Sequence, residues 1–172
     1  LEQQVSPILG QIQQHLVDHK QTLAVAESMT GGLLGAKFTS QSGSSRFFVG
    51  GIIAYHPALK MRLLQVKATT LAVHSPVSQC CAEEMALGCR IHCSSDWAIS
   101  VTGLAGPSGD PEFPLIPVGT VYLGIAGPRN FLASETYYFA DSNREDMRTQ
   151  AVEQALDFFW RLLSSKHKGQ TP

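Results

Sequence analysis

The sequence has 172 residues, of which 44% are hydrophobic and 16% charged, with a formal net charge of −1 at pH 7. That length fits a single domain, 1–172, with a continuous core. The near-zero charge, with no basic patch, argues against binding nucleic acid through electrostatics.

Taken in chain order, Val5, Ile8, Leu9, Ile12, Leu16 and Val17 recur at helical spacing and predict a helix over 5–19. The run 22–26 (TLAVA) predicts a buried strand. Glu27 to Gly32 then reads as a tight turn, followed by a helix to Phe38. Polar, small residues at 39–45 predict a loop or helix start, and 49–55 a second strand. Pro57 opens a predicted helix to Leu64, as proline at a first turn does. Ser78 is a natural N-cap for a helix to His92. Trp97 to Val101 reads as a strand and 102–117 as a long Gly/Pro-rich loop. The runs 118–126 and 131–139 predict a hairpin. A closing helix spans Asn143 to Ser164, with Asn143 as its cap. This order predicts an α/β fold: a three-layer α/β/α sandwich with a mixed, mainly parallel sheet.

Several chemistries find no support in the sequence. Cys80, Cys81, Cys89 and Cys93 share one predicted helix without a C-x-x-C pair, so they read as thiols in a reducing compartment rather than zinc ligands. The six histidines lack paired-ligand spacing, so no metal is expected. No Walker loop or G-x-G-x-x-G motif is present, and no cofactor is expected. The N-terminus lacks the basic start and apolar run of a signal peptide, and no apolar stretch reaches membrane-spanning length. A cytoplasmic protein without membrane or nucleic-acid partners is expected. The basic tail Lys166, His167, Lys168 reads as a solvated terminus. The charged share falls below the roughly 25% usual for soluble domains, which predicts apolar surface covered in a homo-oligomer, a dimer.

Three loops rich in small residues could carry chemistry, since ligands of open α/β sheets bind beyond the carboxyl ends of strands. Glu27-Ser28-Met29-Thr30-Gly31-Gly32 could offer amides to an anion at a helix start, or could be an ordinary cap with close-packing glycines. Gly43-Ser44-Ser45, with Tyr55 and Lys60 downstream, could supply a serine activated by a lysine of lowered pKa, or be a serine-rich turn and a surface lysine. Thr102-Gly103-Leu104-Ala105-Gly106-Pro107-Ser108-Gly109, with Pro117-Val118-Gly119-Thr120 after it, could approach a ligand closely, or be a flexible surface loop.

Together these segments resemble the CinA C-terminal domain family. The matching stretches are AESMTGG (26–32), GSSRFFVGGIIAYHPALKMRLLQV (43–66), VTGLAGPSG (101–109), PVGTVYLGIA (117–126) and NREDMRTQAVEQAL (143–156). Full-length family members carry a further N-terminal domain, and the chain resembles the stand-alone form. The resemblance implies hydrolysis of the carboxamide of nicotinamide mononucleotide to nicotinate mononucleotide and ammonia, by a Ser-Lys dyad, in pyridine-nucleotide salvage. It implies Ser45 as nucleophile, Lys60 as base and Tyr55 as a relay. It also implies a substrate-binding set of Ser28, Thr30, Gly31, Gly32, Thr102, Gly103, Gly106 and Arg144. The family often has Cys where Met29 stands, a change expected not to touch the chemistry. A catalytically silent nucleotide-binding paralogue is the alternative reading. A regulatory role in competence or DNA damage, which the family's historical name suggests, is a third.

Overall fold

The computed structural model describes residues 7–140 and 142–165. Val5 of the predicted first helix and the tail Lys166, His167, Lys168 lie outside the described residues. Helix α1 (Pro7–Asp18) leads into strand β1 (Leu23–Glu27), helix α2 (Leu33–Thr39), a 3-10 turn (Ser44–Arg46) and strand β2 (Phe48–Ile53). Three helices follow: α3 (Pro57–Leu64), α4 (Ala68–His74) and α5 (Gln79–His92). Strands β3 (Trp97–Gly103), β4 (Thr120–Gly127) and β5 (Phe131–Tyr138) complete the sheet, and α6 (Arg144–Ser165) closes the described chain.

The five strands lie in the order β2-β1-β3-β4-β5. β1 pairs in parallel with both β2 and β3, while β3–β4 and β4–β5 are antiparallel. Only β4 therefore runs against the other four, and the expected mixed, mainly parallel α/β sandwich is the one found. The helical connections between β1, β2 and β3 are what parallel pairing requires.

Side chains of successive strand residues point to opposite faces, and here the two faces carry different residues. Leu23 and Val25 of β1, with Trp97, Ile99 and Val101 of β3, pack with α1, α2 and α6. Ala24, Ala26 and Ala98 face the other way, toward Leu64 of α3 and Cys81, Met85 and Cys89 of α5. Small residues on this second face let α5 lie close to the sheet. A Cβ on Gly124 would stand 2.4 Å from the Ala82 carbonyl oxygen, and the Ser100 hydroxyl donates to that same carbonyl at 2.5 Å. The close approach fixes the amino end of α5, where Ser78 Oγ accepts from the Cys81 amide as the predicted N-cap. The segment just before that cap contains Pro76, which enters the site below.

The sequence did not predict α4. Its cap comes from another element: the Glu84 carboxylate on α5 accepts from the Lys67 amide at 2.9 Å and from Thr70 Oγ1 at 3.0 Å. Thr69, Thr70 and Val73 have weak helix propensity, so a tertiary contact supplies what local pattern lacks. Among the described residues, no helix is long and apolar enough to cross a membrane.

Candidate active site

Parallel pairing brings the ends of β1 and β3 and the residues after β2 to one edge of the sheet, where Ala54 N–H donates to the Glu27 carbonyl. A cavity of about 310 Å³ opens there, lined by Ser28, Tyr55, Lys60, Pro76, the 103–106 loop and Arg144, among others.

Lys60, the expected base, is a buried lysine. Helix α3 buries one short stripe, Lys60 and Leu64, and Lys60 is only 1% exposed. His56 caps the helix, its imidazole accepting from the Ala58 amide at 3.1 Å. Lys60 Nζ donates to the Pro76 carbonyl at 2.9 Å and to Thr102 Oγ1 at 2.8 Å. Thr102 Oγ1 in turn donates to the Pro76 carbonyl at 2.8 Å. Burial pushes the Lys60 pKa below the ordinary lysine value, and the nearby Cys81 thiol opposes this more weakly. A neutral amine has two N–H bonds and one lone pair. Both N–H bonds have acceptors in Pro76 and Thr102, so the lone pair is the position left for a proton donor in the cavity.

Ser28 is the residue immediately after β1. Its amide donates to the Val101 carbonyl at 3.0 Å, which extends the β1–β3 ladder. Its side chain lines the cavity that Lys60 also lines, and its hydroxyl makes no hydrogen bond with any described residue. Gly31 (φ 58°) and Gly32 (φ 103°) then turn the chain into α2 through left-handed conformations that favour glycine.

The anion-cradle expectation is corrected for the start of α2. The buried Glu27 carboxylate accepts from the amides of Gly32 and Leu34 at 3.0 Å and of Gly35 at 2.8 Å. The protein's own carboxylate thus occupies the amides of Gly32, Leu34 and Gly35, which are not open to a ligand. The side chains of Thr30, Gly31 and Gly32 do not line the cavity, and the two glycines serve to shape the turn.

The pairing of Ser45 with Lys60 is also corrected. Ser45 is exposed, in the 3-10 turn that precedes β2. β2 begins beside Leu23, the first residue of β1, whereas Ser28 follows Glu27, the last. At ~3.3 Å per residue this separates Ser45 from the Lys60 end of the sheet by about 15 Å. The structure does not bring the two together within one chain.

The remaining expected residues fall in two shells. Gly103 and Gly106 line the cavity, while Thr102 lies fully buried behind Lys60. Arg144 stands at the rim, donating to the Gly106 carbonyl at 2.7 Å and to Tyr55 Oη at 3.1 Å. Its position as the first residue of α6 is set by Asn143, whose Oδ1 accepts from the amides of Glu145 and Asp146 at 3.0 and 2.9 Å. Sequence reasoning missed three contributors. Pro76 acts through its backbone, which no side-chain motif reveals. Asp110 lines the cavity from the long loop, where spacing carries no signal, beside Ser108 of the expected glycine-rich stretch. Arg148 reaches the turn after Ser28 from more than a hundred residues away. Met29, expected to be remote from the chemistry, lines the cavity, and its Sδ lies 2.4 Å from where a Cβ on Gly103 would stand. Among the described residues, no group of His, Cys, Asp or Glu side chains is arranged to hold a metal.

Comparison with known proteins agrees with this architecture. A family model described as the CinA C-terminal domain matches residues 6–163. A CinA-like protein of Crocosphaera subtropica is 45% identical over 156 residues, covering 90% of this chain and 37% of its own length. A second CinA-like protein, from Synechococcus sp., is 46% identical over 148 residues, covering 86% and 35%. The chain thus spans roughly a third of the length of these curated relatives. The crystal structure of competence damage-inducible protein A from Klebsiella pneumoniae superposes with a TM-score of 0.86 at 33% identity, covering 91% of this chain and 95% of that one. A competence-damaged protein (CinA) superfamily structure from Enterobacter cloacae gives 0.87 at 26% identity, covering 92% of both chains. With the family model matching residues 6–163 and relatives 45–46% identical over most of its length, the chain belongs to the CinA C-terminal domain family.

Proposed function

We propose that this domain is a serine–lysine amidase acting on the carboxamide of nicotinamide mononucleotide, with Ser28 as nucleophile and Lys60 as base. The observation that carries this reading is the buried, two-acceptor Lys60 sharing a cavity with a serine hydroxyl that has no partner among the described residues. The substrate is the one the family resemblance implies, and a cavity of about 310 Å³ is at the lower end of the usual range for small-molecule sites.

In this mechanism neutral Lys60 takes the Ser28 hydroxyl proton as Oγ attacks the carboxamide carbon. The tetrahedral intermediate carries its negative charge on the former carbonyl oxygen. Protonated Lys60 then gives its proton to the leaving nitrogen, the C–N bond breaks, and ammonia departs. Water attacks the resulting ester, again losing a proton to Lys60, and carboxylate and free Ser28 form. Thr102 and the Pro76 carbonyl hold the amine in place throughout. At the rim, Arg144 keeps N–H groups beyond those spent on Gly106 and Tyr55, and these suit the substrate phosphate.

The test is formation of equal amounts of nicotinate mononucleotide and ammonia by the purified chain. The reading expects this from the native sequence and none from a folded Lys60→Met variant. Undiminished turnover by that variant rejects it.

A further inference from the structure

We propose that Arg148 is a positioning residue that builds an oxyanion hole from the Met29 and Thr30 amides. This inference rests on Ser28 being the nucleophile.

Three successive carbonyls in the turn after β1 are engaged. The Ser28 carbonyl accepts from the Gly31 amide at 3.0 Å. The Met29 carbonyl accepts from Arg148 Nε at 3.1 Å, and the Thr30 carbonyl from Arg148 Nη2 at 2.9 Å. The Leu33 amide adds a second bond to Thr30 at 3.1 Å. In a trans peptide unit the N–H points opposite to the C=O. The units that hold the Ser28 and Met29 carbonyls therefore direct the Met29 and Thr30 N–H groups the other way. Neither N–H meets an acceptor among the described residues. Successive unspent amides of this kind form an anion-binding concavity. An amide immediately after a nucleophilic serine is a recurring oxyanion donor.

Arg148 contributes in two ways. Its forked guanidinium grips two neighbouring carbonyls at once, which fixes the rotation of the peptide unit between them. Its charge on the Met29 carbonyl also polarises the Thr30 N–H of the same unit, making it a stronger donor. The other side of the turn is held by the Met29 side chain packed against Gly103. Arg148 itself stays on the α6 side and does not line the cavity.

The experiment compares the native chain with Arg148→Gln and Arg148→Lys. It measures turnover of nicotinamide mononucleotide, inhibition by 3-pyridylboronic acid, and binding of nicotinate mononucleotide. The boronic acid is the charge-bearing probe, since its boron becomes tetrahedral and anionic on a serine hydroxyl. Arg148→Gln is expected to lower kcat about 10²-fold, the scale of a small misplacement of catalytic groups, with KM and product binding within about threefold. Boronate inhibition weakens in parallel. Arg148→Lys, which keeps the charge but not the fork, falls between and serves if Arg148→Gln does not fold. Unchanged kcat, a loss confined to KM, or boronate inhibition that stays at the native level in the folded variants overturns the proposal while leaving Ser28 in place. A native chain that neither turns over substrate nor forms a tetrahedral boron adduct removes the Ser28 reading and this one together.

Discussion

Lys60 Nζ lies 2.8 Å from Thr102 Oγ1, a contact that ties the middle of α3 to the end of β3. It gives a cationic side chain a buried place by offering its neutral form two acceptors, the second being the Pro76 carbonyl at 2.9 Å. Thr102 is therefore expected to act through Lys60. Replacing it with the isosteric valine leaves one lysine N–H without a partner, which costs about 1–2 kcal/mol in denaturant unfolding. Turnover of nicotinamide mononucleotide is expected to fall about tenfold as the amine loses its fixed orientation. Native-like kcat in Thr102→Val would show that the hydroxyl is dispensable.

The lowered pKa of Lys60 predicts how rate depends on pH. Activity of a neutral base rises as the proton leaves, so kcat/KM is expected to climb and level off well below the ordinary lysine value of 10.5. A profile still rising at that value would place an unshifted lysine in the role.

The same burial makes a stability prediction. In the unfolded chain Lys60 holds its proton up to its ordinary value of 10.5, whereas in the folded chain it releases it at lower pH. Between those two points the unfolded state binds more protons, so raising pH favours the fold. Below the folded pKa the cost of burying the lysine is fully present. Lys60→Met should therefore be more stable than the native chain by ~1–2 kcal/mol at pH 7. Its advantage should shrink as pH rises toward 10.5. Thermal unfolding at several pH values measures this, and a pH-independent difference would contradict it.

Glu27 is expected to matter for folding first and chemistry second. Its carboxylate accepts from three amides at the start of α2 and sits only 1% exposed. Glu27→Ala leaves one buried and two part-buried donors without that partner, at a cost of about 3 kcal/mol. Glu27→Gln keeps an acceptor oxygen and should lose less. Urea unfolding of both variants checks the order.

Much of this architecture was readable from pattern. Helix α3 begins and ends where Pro57 and Leu64 said it would, and Ser78 and Asn143 cap the helices they were expected to cap. These features are local, set by a side chain and the next few residues. What pattern could not supply is long-range. Helix α4 depends on Glu84 from a different helix, and Lys60 finds its acceptors 16 and 42 residues away. The choice between Ser28 and Ser45 turned on topology. Ser28 follows a strand, at the edge where open α/β sheets bind ligands. Ser45 precedes one, so that rule favours Ser28, whereas the family resemblance implies Ser45.

The most direct test of the account is ammonia release from nicotinamide mononucleotide by Ser28→Ala and Ser45→Ala, measured side by side with the native chain. Ser28→Ala, folded and with an unchanged melting temperature, is expected to release none above background, while Ser45→Ala releases ammonia at the native rate. Loss of activity in Ser45→Ala with activity retained in Ser28→Ala would contradict it, and would move the chemistry to the opposite end of the sheet.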